Sequence, residues 1–156
     1  MTGIDISDEG VAAARAEAQR LRLANVIFEV RDALSLERDS YDLVTAFDVV
    51  HDLPRPAETV AAIHAALRPG GVFLMVDIAA SSHLHENLEH PLAPALYTAS
   101  IFHCMTVSLE QGGPGLGTMW GRQQALDILH GAGFDDVDVK HVEADILNSY
   151  YVARKP

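Results

Sequence analysis

The chain has 156 residues, 49% of them hydrophobic and 21% charged, with a formal net charge of −11. That make-up supports one globular domain with a sizeable core and excludes a disordered polymer. The acidic balance disfavours nucleic acid and anionic membranes as partners, no apolar run reaches the roughly 18 residues of a membrane span, and the lone Cys104 excludes an internal disulfide.

No basic region followed by an apolar segment opens the chain, so a cytoplasmic rather than a secreted protein is expected. Gly3-Ile4-Asp5-Ile6-Ser7 reads as a strand, with Ile4 and Ile6 as its buried residues and Ser7 as the N-cap of a helix. Asp8 and Glu9 suit the first helical turn. Val11, Ala14, Ala18 and Leu21 then share one helix face. Val26 to Val30 is a second short strand, closed by Arg31-Asp32-Ala33. Tyr41 to Phe47 is apolar on both sides, as in a central parallel strand covered by helices. Pro56 starts the next helix, whose buried stripe is Val60, Ile63 and Leu67. Pro69-Gly70-Gly71 is expected to stop it and turn the chain into a buried strand, Val72 to Val76, ending at Asp77.

Residues 79 to 118 break this rhythm. Ala93 to Leu109 reads as one helix, and Gly112 to Gly117 as a glycine-rich loop. Arg122 to His130 is a helix, and Val137, Val139 and Val142 alternate like a strand. Tyr150 to Ala153 forms a last strand, joined to the one before it through a long loop, Glu143 to Ser149, in an antiparallel hairpin. Short links between strands and helices argue for a mostly parallel α/β sheet with flanking helices.

Four elements in this order resemble the Rossmann-like S-adenosylmethionine-dependent methyltransferases of the bacterial small-molecule type. They are Gly3 to Ser7; Arg31-Asp32-Ala33; Tyr41 to Val44 running through His51-Asp52-Leu53; and Leu67-Arg68-Pro69-Gly70-Gly71. The resemblance implies a cofactor site at Asp5, Ile6, Asp32, Ala33 and Phe47. Asp5 would accept the ribose hydroxyls and Asp32 the adenine amino group, the Ala33 N–H would serve a ring nitrogen, and Phe47 would pass the methionine moiety. From spacing alone, Asp5 also reads as a helix-start carboxylate and Asp32 as a turn residue. The family's opening strand, its glycine-rich turn and first helix have no counterpart here, so residues 1–156 are expected to be an N-terminally incomplete methyltransferase domain. Gly113-Pro114-Gly115-Leu116-Gly117 is expected to be a substrate-side or structural loop rather than a displaced cofactor turn.

The family strand order, 3-2-1-4-5-7-6, loses its central member when strand 1 is removed, which leaves two unpaired edges. Three outcomes are consistent with that: a piece of a longer enzyme, direct pairing of the flanking strands, or a homodimer that covers the gap. The expected activity is methyl transfer to a small-molecule acceptor. His51 is the candidate general base, although it also reads as a packing or capping histidine. Tyr97, Phe102, His103, Met105 and Trp120 are candidate lining of an apolar acceptor site. His83, His85, Glu86 and His90, with Asp77, supply metal-ligand types without a spacing that fixes a site, so no metal is expected. Cys104 reads as core. The alternative function is a non-catalytic remnant acting as a dimerisation or regulatory module.

Overall fold

A computed structural model describes all residues, Met1 to Pro156, and the chain divides into two units, Met1–Glu37 and Arg38–Pro156. The first unit is a strand–helix–strand element. Strand β1 (Thr2–Asp5) and strand β2 (Ile27–Val30) pair in parallel, Thr2 opposite Ile27 and Asp5 opposite Val30. Helix α1 (Asp8–Arg20) joins them. Ser7 caps it as expected, its hydroxyl accepting the Gly10 N–H at 3.0 Å. Val11 and Ala18 are buried, Ala14 half-buried. Leu21 is exposed, because the helix ends at Arg20 and Leu21 is its C-cap. Arg15 bonds the Phe28 carbonyl from Nε and Nη2, at 3.0 and 2.6 Å, tying α1 to β2. Gly3 lies opposite Phe28, and a Cβ there would stand 2.6 Å from the ring. Ile6, expected to be a buried strand residue, lies beyond β1 and is exposed.

The second unit carries a four-stranded sheet. Strand β3 (Tyr41–Phe47) has the predicted bounds, and helix α2 (Pro56–Ala66) starts at the predicted proline. Strand β4 (Leu67–Ile78) leads through a short 3₁₀ turn to helices α3 (Ala93–Phe102), α4 (Cys104–Glu110) and α5 (Arg122–Gly131). Strands β5 (Asp136–Val142) and β6 (Asp145–Arg154) complete it. The order is β3-β4-β6-β5, with β3 and β4 parallel and β6 antiparallel to both of its neighbours. Phe73, Met75, Tyr151 and Ala153 of the sheet are buried, as are Val60 and Ile63 of α2, Leu129 of α5 and the nearby Phe134. Phe73 and Phe134 stack with ring centroids 5.9 Å apart.

Three expectations are corrected. Pro69-Gly70-Gly71 does not turn the chain. It forms a bulge inside β4, between the Tyr41–Leu67 and Leu43–Val72 pairs. Gly70 takes φ 77°, a left-handed conformation suited to glycine, and the bulge is closed by Gly70 N–H to the Lys155 carbonyl and Lys155 N–H to the Gly71 carbonyl. The helix expected over Ala93 to Leu109 breaks at His103, which leaves helical geometry at φ −132° and ψ −76°. Ser100 and Cys104, on either side of the break, both bond Thr118: the Ser100 hydroxyl accepts its N–H and the Cys104 sulfur accepts its hydroxyl proton. The long loop Glu143 to Ser149 is a two-residue turn instead. The Asp145 carboxylate makes the difference, accepting from Leu147 N–H, Asn148 Nδ2 and the Tyr150 hydroxyl.

β3 also differs from a strand covered on both sides. Leu43 is 58% and Phe47 57% exposed, on the face they share with Val72, Leu74 and Val76. β3 has one ladder partner, β4, and β1 has one, β2. Direct pairing of β1 with β3 is not formed. Taken singly, the β1-β2 sheet has the neighbours of the family's strands 2 and 3, and the β3-β4-β6-β5 sheet has the order of its strands 4-5-7-6.

Candidate functional site

In the first unit the expected residues stand at the C-terminal ends of two parallel strands, where open α/β sheets bind their ligands. Asp5 ends β1, is exposed, and accepts the Ser7 N–H through Oδ1 at 2.8 Å. Asp32 lies two residues past β2 and is also exposed. Its Oδ1 accepts the Leu34 N–H at 2.9 Å, capping the 3₁₀ turn Ala33–Ser35. Ala33 opens that turn, where an N–H has no partner within the turn itself. Two exposed carboxylates and a turn-opening N–H fit the hydroxyl, amino and ring-nitrogen groups of an adenosine. Ile6 follows Asp5 and is exposed.

In the second unit the chemistry gathers where β3 and β4 end. Asp48, directly after Phe47, has φ 55°. A non-glycine residue there carries about 1–3 kcal/mol of backbone strain, a mark of functional sites. The turn delivers His51, which is 2% exposed, into the 3₁₀ turn Val50–Asp52. His51 Nδ1 lies 2.8 Å from Oδ1 of Asp77, itself 1% exposed. The same oxygen accepts Trp120 Nε1–H at 3.0 Å and the Ile78 N–H at 2.9 Å. Asp77 Oδ2 is buried without a protein partner. A carboxylate only accepts, so His51 donates from Nδ1 and its chemistry is left to Nε2. Nε2 lies 3.3 Å from Asp52 Oδ1, and Asp48 Oδ1 is 3.9 Å from Nδ1.

These charges set the local protonation. Burial pulls His51 down, but the Asp77 hydrogen bond and the charges of Asp77, Asp52 and Asp48 together outweigh it, so its pKa lies above the ordinary histidine value. Burial raises Asp48, against the pull of His51. Burial also raises the Cys104 thiol, and pushes Tyr151 up to about 12, with Asp77 adding to it.

Trp120 is delivered by its neighbour. Gly121 has φ 82°, and a Cβ there would stand 2.1 Å from Ser82 N. That close approach lets Ser82 Oγ–H bond the Trp120 carbonyl and Arg122 N–H bond the Ala80 carbonyl, fixing the start of α5 against the end of β4. The glycine loop before it is packed in the same way: a Cβ on Gly113 would meet Ser108 Oγ at 2.4 Å, and one on Gly117 would meet Ser100 Oγ at 2.2 Å.

The proposed acceptor lining is not brought together. Trp120 is buried on Asp77, Phe102 and His103 are exposed, and the Tyr97 hydroxyl accepts from Asn87. His83 and His85 stack at 5.9 Å on the surface, whereas Asp77 is buried with His51. Sequence reasoning missed Asp77 as the partner of His51, and Trp120 as a second donor to Asp77. The available signal was a carboxylate closing an otherwise apolar strand, which at such a depth needs a partner.

Comparison with known proteins places this geometry in context. A family model described as a methyltransferase domain matches residues 1–127. The ubiquinone biosynthesis O-methyltransferase of Aeromonas salmonicida is 36% identical over 73 residues, 46% of this chain and 31% of the relative. The chain thus spans about a third of that relative's length. Among solved structures, a SAM-dependent methyltransferase from Methanosarcina mazei superposes with a TM-score of 0.64 at 20% identity, over 99% of this chain and 81% of that one. The trans-methyltransferase CalH, solved with SAH, superposes with a TM-score of 0.69 at 19% identity, over 99% and 42%. These likenesses are of fold. S-adenosylmethionine is the cofactor of the family, and the chain belongs to that family of methyltransferase domains.

Proposed function

We propose that residues 1–156 are a methyltransferase domain that methylates a small-molecule acceptor within a longer enzyme. The sharing of only 31% of the Aeromonas relative's length and the open ladder edges of β1 and β3 support the longer context. In this reading Asp5 and Ile6 hold the cofactor's ribose end, Asp32 and Ala33 its adenine, and Phe47 its methionine. When bound, S-adenosylmethionine supplies an electrophilic methyl group.

The observation that carries the reading is the buried His51–Asp77 pair, 2.8 Å apart and braced by Trp120 and Ile78. Asp77 holds the imidazole in the tautomer that leaves Nε2 as the basic nitrogen, and stabilises the imidazolium that forms. With the cofactor bound, Nε2 would take the proton of an acceptor hydroxyl as that oxygen gains the methyl group and the sulfur–methyl bond breaks to leave the thioether. Such a base suits an oxygen acceptor, and the Aeromonas relative is an O-methyltransferase.

Calorimetric titration with S-adenosylhomocysteine tests the cofactor half. We expect binding by the 156-residue chain, loss of binding in Asp5→Ala, and retention in His51→Asn. No binding by the folded chain would mean either a fragment that needs the rest of a longer enzyme or the non-catalytic remnant.

A further inference from the structure

We propose that His51, Asp52 and Cys104 form a binding site for a divalent ion of the zinc class, held by His51 Nε2, Asp52 Oδ1 and Cys104 Sγ. The three ligand atoms lie within 4.8 Å of one another, and Nε2 is 3.3 Å from Oδ1. Imidazole, carboxylate and thiolate are the ligand types that zinc takes together. Adjacency in the chain supplies two of them. The helix break at His103 supplies the third, because it sets Cys104, 8% exposed, at the start of α4.

The polar accounting points the same way. Asp52 Oδ1 is buried, with the His51 imidazole nitrogen 3.3 Å away and the Cys104 sulfur close by. With the Nδ1 proton given to Asp77, a neutral His51 turns a lone pair towards that acceptor oxygen. A proton on Nε2 or a cation between the two atoms brings them together, so the ion takes the place of that proton. Two ligands are also oriented from behind: Asp77 holds His51 Nδ1 at 2.8 Å, and the Thr118 hydroxyl donates to Cys104 Sγ at 2.9 Å. A carboxylate behind a ligating histidine is the outer-shell arrangement that fixes ring and tautomer at metal sites. Three protein ligands leave a fourth tetrahedral position for water or a solute.

Binding forms the metal–sulfur bond and ejects the Cys104 thiol proton to solvent. The ion occupies Nε2, so it removes the base of the proposed reaction and acts as an inhibitor. The site itself stands whether or not the chain transfers methyl groups.

The test is cobalt titration of the reduced, metal-free 156-residue chain, followed by absorption. We expect one cobalt per chain and a near-ultraviolet thiolate-to-cobalt band that zinc bleaches. Cys104→Ser is expected to abolish the band. Asp77→Asn is expected to weaken binding by about 10- to 100-fold through lost orientation. The double variant His83→Asn/His85→Asn is expected to bind as the parent does. A folded chain with no thiolate band at saturating cobalt would overturn the proposal, as would a band that survives Cys104→Ser. If Cys104→Ser does not fold, Asp52→Asn decides: Asp52 is 28% exposed and the change keeps its shape, so unchanged affinity there is equally fatal.

Discussion

Replacing Asp77 by Asn separates the charge of the His51–Asp77 pair from its shape. The amide oxygen can still accept from Ile78, Trp120 and His51. Its NH₂, however, falls where Oδ2 now lies buried without a partner. Unpaired buried donors cost about 1–3 kcal/mol. When His51 is protonated the cost rises towards about 3–5 kcal/mol, because the buried imidazolium loses its hydrogen-bonded counter-charge and keeps only Asp52 and Asp48. The folded pKa of His51 is raised above the unfolded value of about 6.5. The pair's contribution is therefore complete below that value and is lost as pH rises through the folded pKa. Urea unfolding of both proteins at about pH 5.5 and about pH 8.5 measures this directly, with buried Trp120, the sole tryptophan, as the fluorescent reporter. The expected result is a larger stability gap at the acidic pH with an unchanged denaturant slope. A gap that is equal at both, or larger at the alkaline pH, would refute the assignment of a charged pair.

Two other changes probe local geometry. Gly121→Ala should cost about 1–3 kcal/mol from its left-handed backbone alone, and more from the 2.1 Å approach to Ser82 N. Gly131→Ala, at the end of the same helix with no atom within 4 Å of the new Cβ, should be neutral or stabilising by up to about 1 kcal/mol. Thermal melts of the pair give the comparison. Ser7→Ala removes the cap of α1 and should cost that helix about 1 kcal/mol, read as faster amide exchange over Val11–Ala14 with the α5 amides unaffected.

Much of the fold was legible because single residues punctuate it. Pro56 opens α2, Ser7 caps α1, and the run Tyr41–Phe47 is bounded by polar residues, so their limits fall where expected. What escaped prediction depends on partners distant in the chain. Pro69-Gly70-Gly71 looks like a helix stop, yet Lys155 holds it as a bulge. The run Ala93–Leu109 has helical composition throughout, yet Thr118 bonds on both sides of its break. The exposure of Leu43 and Phe47 is equally invisible in a sequence whose apolar residues look the same covered or bare. At the site, His51 could be named from its place after a strand, but its tautomer is set by Asp77, 26 positions away.

The placing of β6 bears on how the second unit comes into being. β6 lies between β4 and β5, although it is made after both. During synthesis β3 and β4 can pair as they emerge, but β5 has no neighbour in the sheet until residues 145–154 arrive and insert themselves between two waiting edges. Until then β4 and β5 present open backbone to solvent, a state prone to wrong pairing. Closure of the sheet thus waits for residues 145–154, and variants that slow the tight turn at Glu143-Ala144 should prolong that exposed interval.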